Sequence, residues 1–469
     1  MKSPKAPGVY LQETASFPVS VSSVPSAIPA FIGYTQEDSL RNIPTKINSL
    51  QEYRDKFGGA PLQAFSLKLT DIFTNAKLSS RTYTVDDPHP GIFKLYHSLE
   101  LYFSNGGGPC YIVSVGNYKA EKIEVGKRDP LEGLLGGIKA TETIDEISLL
   151  VFPDAISLAN QNEYGFVVKD ALALCHKLRD RFTICDVYDN NSPSAITDFR
   201  QAIGTNYLKY GAAYYPSLKT AFNYTANEEN SVIIHTKIED TGSPVNSRFH
   251  KKSLREVKDL DHLVYHGFEN EIKNKYISLP PSGAIAGVYM SVDTQRGVWK
   301  APANVSLNSV IEPTVNITQN QQESLNIDAI AGKSINAIRT FSGRGVLVWG
   351  ARTLAGNDNE SRYVSMQRLY INIEESAKKA IQQFAFKPNA LPTWASVKTM
   401  LENYLLNLWR EGALAGAKPE HAFFVKVGLN ETMSSQDILE NKMIVQIGLA
   451  PIRPAEFTIL NISCEMKTS

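Results

Sequence analysis

Between residues 93 and 220 the apolar positions alternate between two spacings. "CYIVSV", "SLLVFPD", "RFTICDVYD" and "YGAAYYPS" are short, nearly unbroken apolar runs. Between them, "FKLYHSLELYFSNGG", "DPLEGLLGGIKATE", "YGFVVKDALALCHKLRD" and "AITDFRQAIG" place apolar residues three and four apart, which is helical spacing. A strand with no polar face has no face in water. Buried strands separated by helices therefore predict a parallel sheet covered on both sides.

Outside this stretch the pattern is more varied. Residues 1–25 hold few large apolar groups and several prolines and read as an arm and linker, with "GVYLQE" (8–13) as a short alternating strand. "SAIPAFIGYT" (26–35) predicts a buried strand. "INSLQEYRDKFGG" (47–59) predicts a short helix with Ser49 as N-cap and a glycine pair at its end. The polar, charge-rich stretch 221–278 interrupts the rhythm and reads as an insertion with a small hairpin and exposed loops. Apolar character returns at 284–293. A strand is expected at 344–354, a strand followed by a helix at 363–386, and strands at 422–427, 443–452 and 456–466. The clearest helix is 393–416, where Trp394, Val397, Leu401, Tyr404, Leu405 and Leu408 form one stripe. No repeat of 20–50 residues is present.

The length of 469 residues allows about two to four domains. Lys+Arg and Asp+Glu both number 48. A balanced charge argues against nucleic acid as the main partner, since phosphate binding calls for a basic excess, and it removes the repulsion that opposes self-association. The four cysteines form no CxxC pair and sit in or beside apolar runs, as expected of buried thiols in a reducing compartment. The first residues show no apolar signal core, and no run approaches the roughly 18 residues that would span a bilayer. The expectation is synthesis and folding in the cytosol, without membrane insertion.

Candidate chemistry is sparse. There is no G-x-S-x-G elbow, Walker A loop or H-E-x-x-H. "NGGGPC" (105–110) joins a helix to a strand, the reverse of the order a phosphate loop needs, and reads as a turn. His262 and His266 are four apart, as two zinc ligands on one helical face would be, but their neighbours "KDLDHLVYH" read as a solvated surface. Asp154, Asp186 and Asp189 follow predicted strands, where α/β enzymes keep catalytic carboxylates. Capping the following helices or starting turns is the expected role. Tyr363, Tyr370, Trp394, Tyr404 and Trp409 are expected in core or interface packing rather than as a base-stacking platform. No catalytic residue, metal ligand or cofactor is assigned. A soluble α/β enzyme or ligand-binding protein without a recognisable motif stands as the alternative.

Seven motifs in the last third occur in a telling order: "PPSGAIAGVYMSVDTQRGVWKAPAN", "GVLVWGARTL", "RYVSMQRLYINIEES", "FKPN", "LENYLLNLWREGALAG", "PEHAFFVKV" and "IGLAPIRPAEFTILNIS". The series resembles the contractile tail sheath proteins of bacteriophages and of phage-tail-like contractile injection systems. The start, "PGVYLQE…VPSAIPAFIGYT", is similar to the beginning of that family.

The resemblance implies an α/β fold: a doubly wound, subtilisin-like α/β unit without a protease triad, a conserved α+β C-terminal sheath domain, and extended N- and C-terminal strand arms. The implied domains are an arm and linker at 1–25, an outer α/β unit at 26–300 with its insertion at about 221–278, a tube-facing domain at 301–454, and a C-terminal arm at 455–469. The arms would join neighbours through Gly8, Val9, Tyr10 and Leu11 and through Glu456, Phe457, Thr458, Ile459, Leu460 and Ile462. Lys398, Glu402 and Arg410 are the tube-facing candidates. Arg296, Trp299 and Pro302 are the candidate joint between outer unit and inner domain. The implied function is mechanical, polymerisation around an inner tube followed by contraction. The implied partners are further copies of the chain, the inner tube, and baseplate and cap proteins. Assembly is expected in bacterial cytoplasm, into a phage virion or an injection particle. The modest insertion favours an injection-system sheath.

Overall fold

The structure is a computed structural model that describes residues 20–454 except 76, 87–90, 190–191, 240–244, 247 and 329. The described residues fall into two compact units, one formed by 25–372 with 453–454 and the other by 20–24 with 373–452.

The larger unit is built on a nine-stranded sheet. Its parallel part contains β1 (Pro29–Thr35), β6 (Cys110–Asn117), β7 (Leu149–Val151), β8 (Phe182–Asp186), β9 (Gly211–Tyr215) and β17 (Ile335–Phe341), in the order β17-β9-β8-β7-β1-β6. Antiparallel strands close both sides: β2 (Thr45–Ile47) pairs with β6, and β18 (Gly345–Val348) followed by β15 (Val305–Ser306) continues beyond β17. From β1 the chain steps to β6 on one side, then crosses back to β7 on the other. The strand order therefore reverses at β1, as in doubly wound α/β folds.

Helices cover both faces. Those in the first part of the chain are α1 (Leu50–Phe57), α2 (Leu95–Ser104), α3 (Gly133–Ala140), α4 (Gln161–Leu178) and α5 (Ala195–Ala202). On β1, Gly33 faces Leu95 of α2, whereas its neighbour Ile32 faces Gly137 of α3. Adjacent strand residues point to opposite faces, so α2 and α3 lie on opposite sides. As the sequence predicts, Ser49 caps α1 by accepting from Glu52 N, and β1, β8 and β9 are buried throughout.

The insertion differs from the sequence expectation of a hairpin with exposed loops. It holds α6 (Leu254–Leu260) and α7 (His262–Lys273), which pack on a second sheet ordered β13-β12-β4-β5. Here β12 (Val232–Glu239) runs parallel to β4 (Ser66–Thr74), which forms a hairpin with β5 (Lys77–Val85), and β13 (Val245–Asn246) edges β12. Ser253 and Glu256 form a reciprocal capping box that starts α6. Two small sheets complete the unit. One holds β14 (Tyr276–Leu279), β10 (Leu218–Asn223) and β16 (Val310–Pro313); the other pairs β3 (Leu62–Gln63) with β11 (Thr225–Ala226).

The later helices are α8 (Ser282–Arg296), α9 (Gln319–Asn326), α10 (Val364–Ile381) and α11 (Leu391–Arg410). The strand expected to open the segment 363–386 is reduced to an isolated bridge between Tyr363 and Arg352, and α10 begins at Val364. Val364, Met366 and Leu369 are buried, and Gln367 and Arg368 are buried with them. Packing of these residues in the core overrides the local preference of the sequence at this point. In the smaller unit, β19 (Phe423–Lys426) and β20 (Gln446–Leu449) form an antiparallel pair beside α11.

Candidate functional site

In an open α/β sheet, the crevice at the carboxyl ends of the strands, where strand order reverses, is the usual ligand site. Here that place is filled by protein. Asp154, just after β7, is fully buried: Oδ1 accepts from the backbone N–H of Lys94 at 2.5 Å and of Leu95 at 2.9 Å, and Oδ2 from Tyr34 N–H at 2.6 Å. The first two are N-terminal groups of α2, so the carboxylate caps that helix and ties it to β1. Gly33 makes the room, since a Cβ there would stand 2.4 Å from Asp154 Oδ2. Burial pushes the Asp154 pKa up to about 6, against the opposing pull of the three N–H groups and of Lys94.

One strand over, Asp186 at the end of β8 receives Ser282 N–H at 2.8 Å and the Ser282 hydroxyl at 2.6 Å. It thereby caps α8, and burial raises its pKa to about 7. Both aspartates cap helices, as expected, but not the helices that follow them. Asp189 lies beside Tyr215, whose phenol is pushed up to about 12 by burial and then by that carboxylate. Cys110, Cys175 and Cys185 are buried free thiols, and Cys464 lies outside the described residues.

The packing that brings Ser282 to Asp186 comes from "SGAIAG". Gly283 and Gly287 sit one above the other on α8, against the backbone carbonyls of Ser98 and Tyr102 of α2. A Cβ would approach those oxygens to 2.4 and 2.5 Å. Only glycine allows the two helix backbones this close.

His262 and His266 lie on α7, with rings 6.3 Å apart; His266 Nδ1 is 2.9 Å from Glu269. Among the described residues, no group of three or more His, Cys, Asp or Glu side chains is placed to hold a metal. The five aromatics considered for stacking are divided: Tyr363 and Tyr370 belong to the larger unit, and Trp394, Tyr404 and Trp409 to the smaller. "NGGGPC" is the turn expected, with Gly106 at φ +91°.

Arg296 (exposed), Trp299 (half-buried) and Pro302 (buried) all lie in the larger unit, where their segment turns the chain from α8 to β15. Gly297, at φ +88°, ends α8, and the Trp299 ring lies over it. The change of unit along the chain falls later, between residues 372 and 373 within α10. On α11 the buried stripe is Val397, Leu401, Tyr404, Leu405 and Leu408, joined by Met400. Trp394, expected in that stripe, is half-buried, and its indole donates to Asn389 Oδ1 at 2.7 Å. Lys398 and Glu402 are half-buried and Arg410 is exposed, about a third of a turn round the helix from Lys398. The arm residues Gly8, Val9, Tyr10, Leu11, Glu456, Phe457, Thr458, Ile459, Leu460 and Ile462 lie outside the described residues.

The smaller unit contains one short sheet. Among the described residues, β19 and β20 pair only with each other as strands. A two-stranded sheet is marginal alone, and its unpaired N–H and C=O groups form a template for a further strand. Val425 is buried, while Phe424 is 46% exposed and lays its ring over Gly448, directly opposite. Beyond β20, Ala450 N–H donates to Ala422 O at 2.8 Å, just before β19, and Ala415 N–H in the loop after α11 donates to Ala450 O at 2.6 Å.

Residues 167–354 match the phage tail sheath protein central domain, and residues 357–465 match the phage tail sheath C-terminal domain. The tail sheath protein of Vibrio phage KVP40 is 22% identical over 190 residues, 40% of this chain and 26% of that protein, so the chain spans about a quarter of that relative's length. Solved structures match along nearly the whole chain. One chain from the cryo-EM structure of the anti-feeding prophage (AFP) baseplate is 32% identical, with 99% of this chain and 100% of that chain covered and a TM-score of 0.64. A chain of the AFP helical sheath in its contracted state is 32% identical over 98% and 99%, with a TM-score of 0.65. One from the PVC sheath complex of an extracellular contractile injection system, contracted state, is 29% identical over 99% and 98%, also with a TM-score of 0.65. With both sheath domains matched in order and likeness extending over the full length of injection-system sheath chains, the protein belongs to the phage tail sheath family.

Proposed function

We propose that this chain is the structural subunit of a contractile sheath: copies polymerise around an inner tube and contract to drive it through a target envelope. The observation that carries the reading is the open-edged pair β19–β20, in a chain whose relatives include sheath chains in the contracted state. A polymer that changes shape needs one contact that persists, and main-chain pairing at a sheet edge provides it with little demand on side-chain identity. In this reading the arms, through Gly8–Leu11 and Glu456–Ile462, add to β19–β20 of neighbouring copies. Domain limits of 1–25, 26–300, 301–454 and 455–469 go with it.

The larger unit is read as a subtilisin-like scaffold without a protease triad. The order β9-β8-β7-β1-β6 and a serine at the start of α8 support this, as does the commitment of Asp154, Asp186 and Ser282 to buried capping bonds. Lys398, Glu402 and Arg410 are offered to the inner tube, and Arg296, Trp299 and Pro302 stiffen the turn out of α8. Baseplate and cap proteins are the remaining partners, supported by the likeness to a chain from a baseplate structure. Assembly in bacterial cytoplasm into an injection particle is supported by the likeness to a sheath chain of an extracellular contractile injection system.

The test is deletion of residues 1–15 or 455–469, followed by circular dichroism and sedimentation. Folded subunits that no longer form long polymers are expected. Normal-length sheaths from either deletion would refute the strand-sharing role.

A further inference from the structure

Arg368, in the first half of α10, is 3% exposed. Its Nη1 donates to Asp293 Oδ1 at 3.1 Å, and its Nη2 to Asp293 Oδ2 at 2.5 Å and to Ser26 O at 2.9 Å. The Ser26 hydroxyl donates to the same Asp293 Oδ2 at 2.5 Å, and the guanidinium stands 4.4 Å from the centre of the Tyr289 ring. A buried ion pair is costly unless its remaining donors and acceptors are satisfied. Ser26 supplies two of those partners, one through its main chain and one through its side chain, so the pair holds the chain segment that completes it.

Further along the chain, Ile28 N–H donates to Ser148 Oγ at 2.7 Å, just before β1. In the other direction, Val24 N–H donates to Ser376 Oγ at 3.0 Å, in the smaller unit. Pro25, between the two anchored positions, is exposed and restricts its own backbone.

We propose that residues 23–26 form a strap held at two points, Val24 by Ser376 within the smaller unit and Ser26 by Asp293 and Arg368 within the larger, so that the N-terminal tether ends at Ser22. The arm and linker expected at 1–25 is thereby shortened at its downstream end. The mechanical consequence rests on the sheath reading; the strap itself does not.

Two insertions in the full chain separate the possibilities. Gly-Ser-Gly placed between Val21 and Ser22 lengthens the tether and leaves the strap. The same tripeptide between Pro25 and Ser26 breaks it, and Ser376→Ala, removing one hydroxyl, gives a milder release. The readout is hydrogen exchange at the Val24 amide in dissociated subunits. Slow exchange is expected in the unaltered chain and the upstream insertion, with acceleration of about tenfold or more in the other two. An unprotected Val24 in the unaltered chain, or equal acceleration by the upstream insertion, would overturn the strap. In assembled particles the upstream insertion should remain extended at a urea concentration that contracts the unaltered sheath; contraction like the unaltered sheath would overturn the tether limit. Failure of the unaltered chain to polymerise would instead overturn the sheath reading, while Val24 exchange still decides the strap.

Discussion

Ser282→Ala perturbs one hydroxyl at the start of α8, and its cost is calculable from a single carboxylate. Asp186 receives two hydrogen bonds, both from Ser282, and is fully buried. The substitution keeps the N–H donor and removes the O–H donor. A hydrogen bond to a charged group contributes about 1.5–3 kcal/mol, and one between neutral groups about 0.5–1.5 kcal/mol. The cost therefore depends on whether Asp186 is ionised. Burial raises its folded pKa to about 7 from the ordinary 3.8. For a raised carboxyl the native state holds a proton that the unfolded chain has released, so between those values stability falls as pH rises. That shift of about three units corresponds to roughly 4 kcal/mol across the window, and Asp154, raised to about 6, acts in the same direction. Urea unfolding of the dissociated subunit at pH 5 and pH 8 measures both effects. The unaltered protein should be more stable at pH 5, and Ser282→Ala should cost about 2 kcal/mol at pH 8 but about 1 kcal/mol at pH 5. An equal cost at both values, or none, would refute the claim that this serine stabilises a buried charge.

Gly283→Ala should destabilise by about 1–3 kcal/mol in the same assay, because its Cβ would meet the Ser98 carbonyl at 2.4 Å; a gain near the 1 kcal/mol expected on an exposed helix would refute the close approach of α2 and α8. In the insertion, burial alone would raise the Asp71 pKa, but the hydrogen bonds and charge of Arg81 outweigh it and hold it below the ordinary value. Arg81→Met should leave that carboxylate buried against His235 only and cost about 3–5 kcal/mol, read as faster hydrogen exchange confined to β4, β5 and β12. Reversing Lys398 and Arg410 to Glu should spare contracted sheath but lower the yield of extended, tube-filled particles; a normal yield would show that these two positions of α11 do not meet the tube.

What the sequence reveals follows from the range of the forces involved. The βαβ alternation, the Ser49 cap and the α11 stripe are local patterns and are readable as such. Asp154 is visible as a residue following a strand, but its partners lie 59, 60 and 120 positions away, and Asp186 meets Ser282 across 96. No local rule assigns those helices. The insertion reads as a small hairpin with exposed loops because α6 and α7 are short and rich in charge, and the sheet they cover comes half from residues 66–85. The Ser253–Glu256 capping box was the available signal for α6. "RGVLVWGARTL" reads as one strand to 354, yet the ladder stops at Val348, after which Trp349 N–H bonds Ala337 O and Leu354 N–H bonds Gly211 O. The glycine spacing in "SGAIAG" was legible as a motif, while its reason, the backbone of α2, was not.

The most direct test of the sheath reading is negative-stain electron microscopy of the purified full-length chain. Sheath assembly predicts long hollow polymers of uniform diameter, which shorten and widen into a contracted form on a trigger such as mild urea. A monodisperse small oligomer at every concentration, with no tubular particles in the presence of its tube protein, would contradict the account.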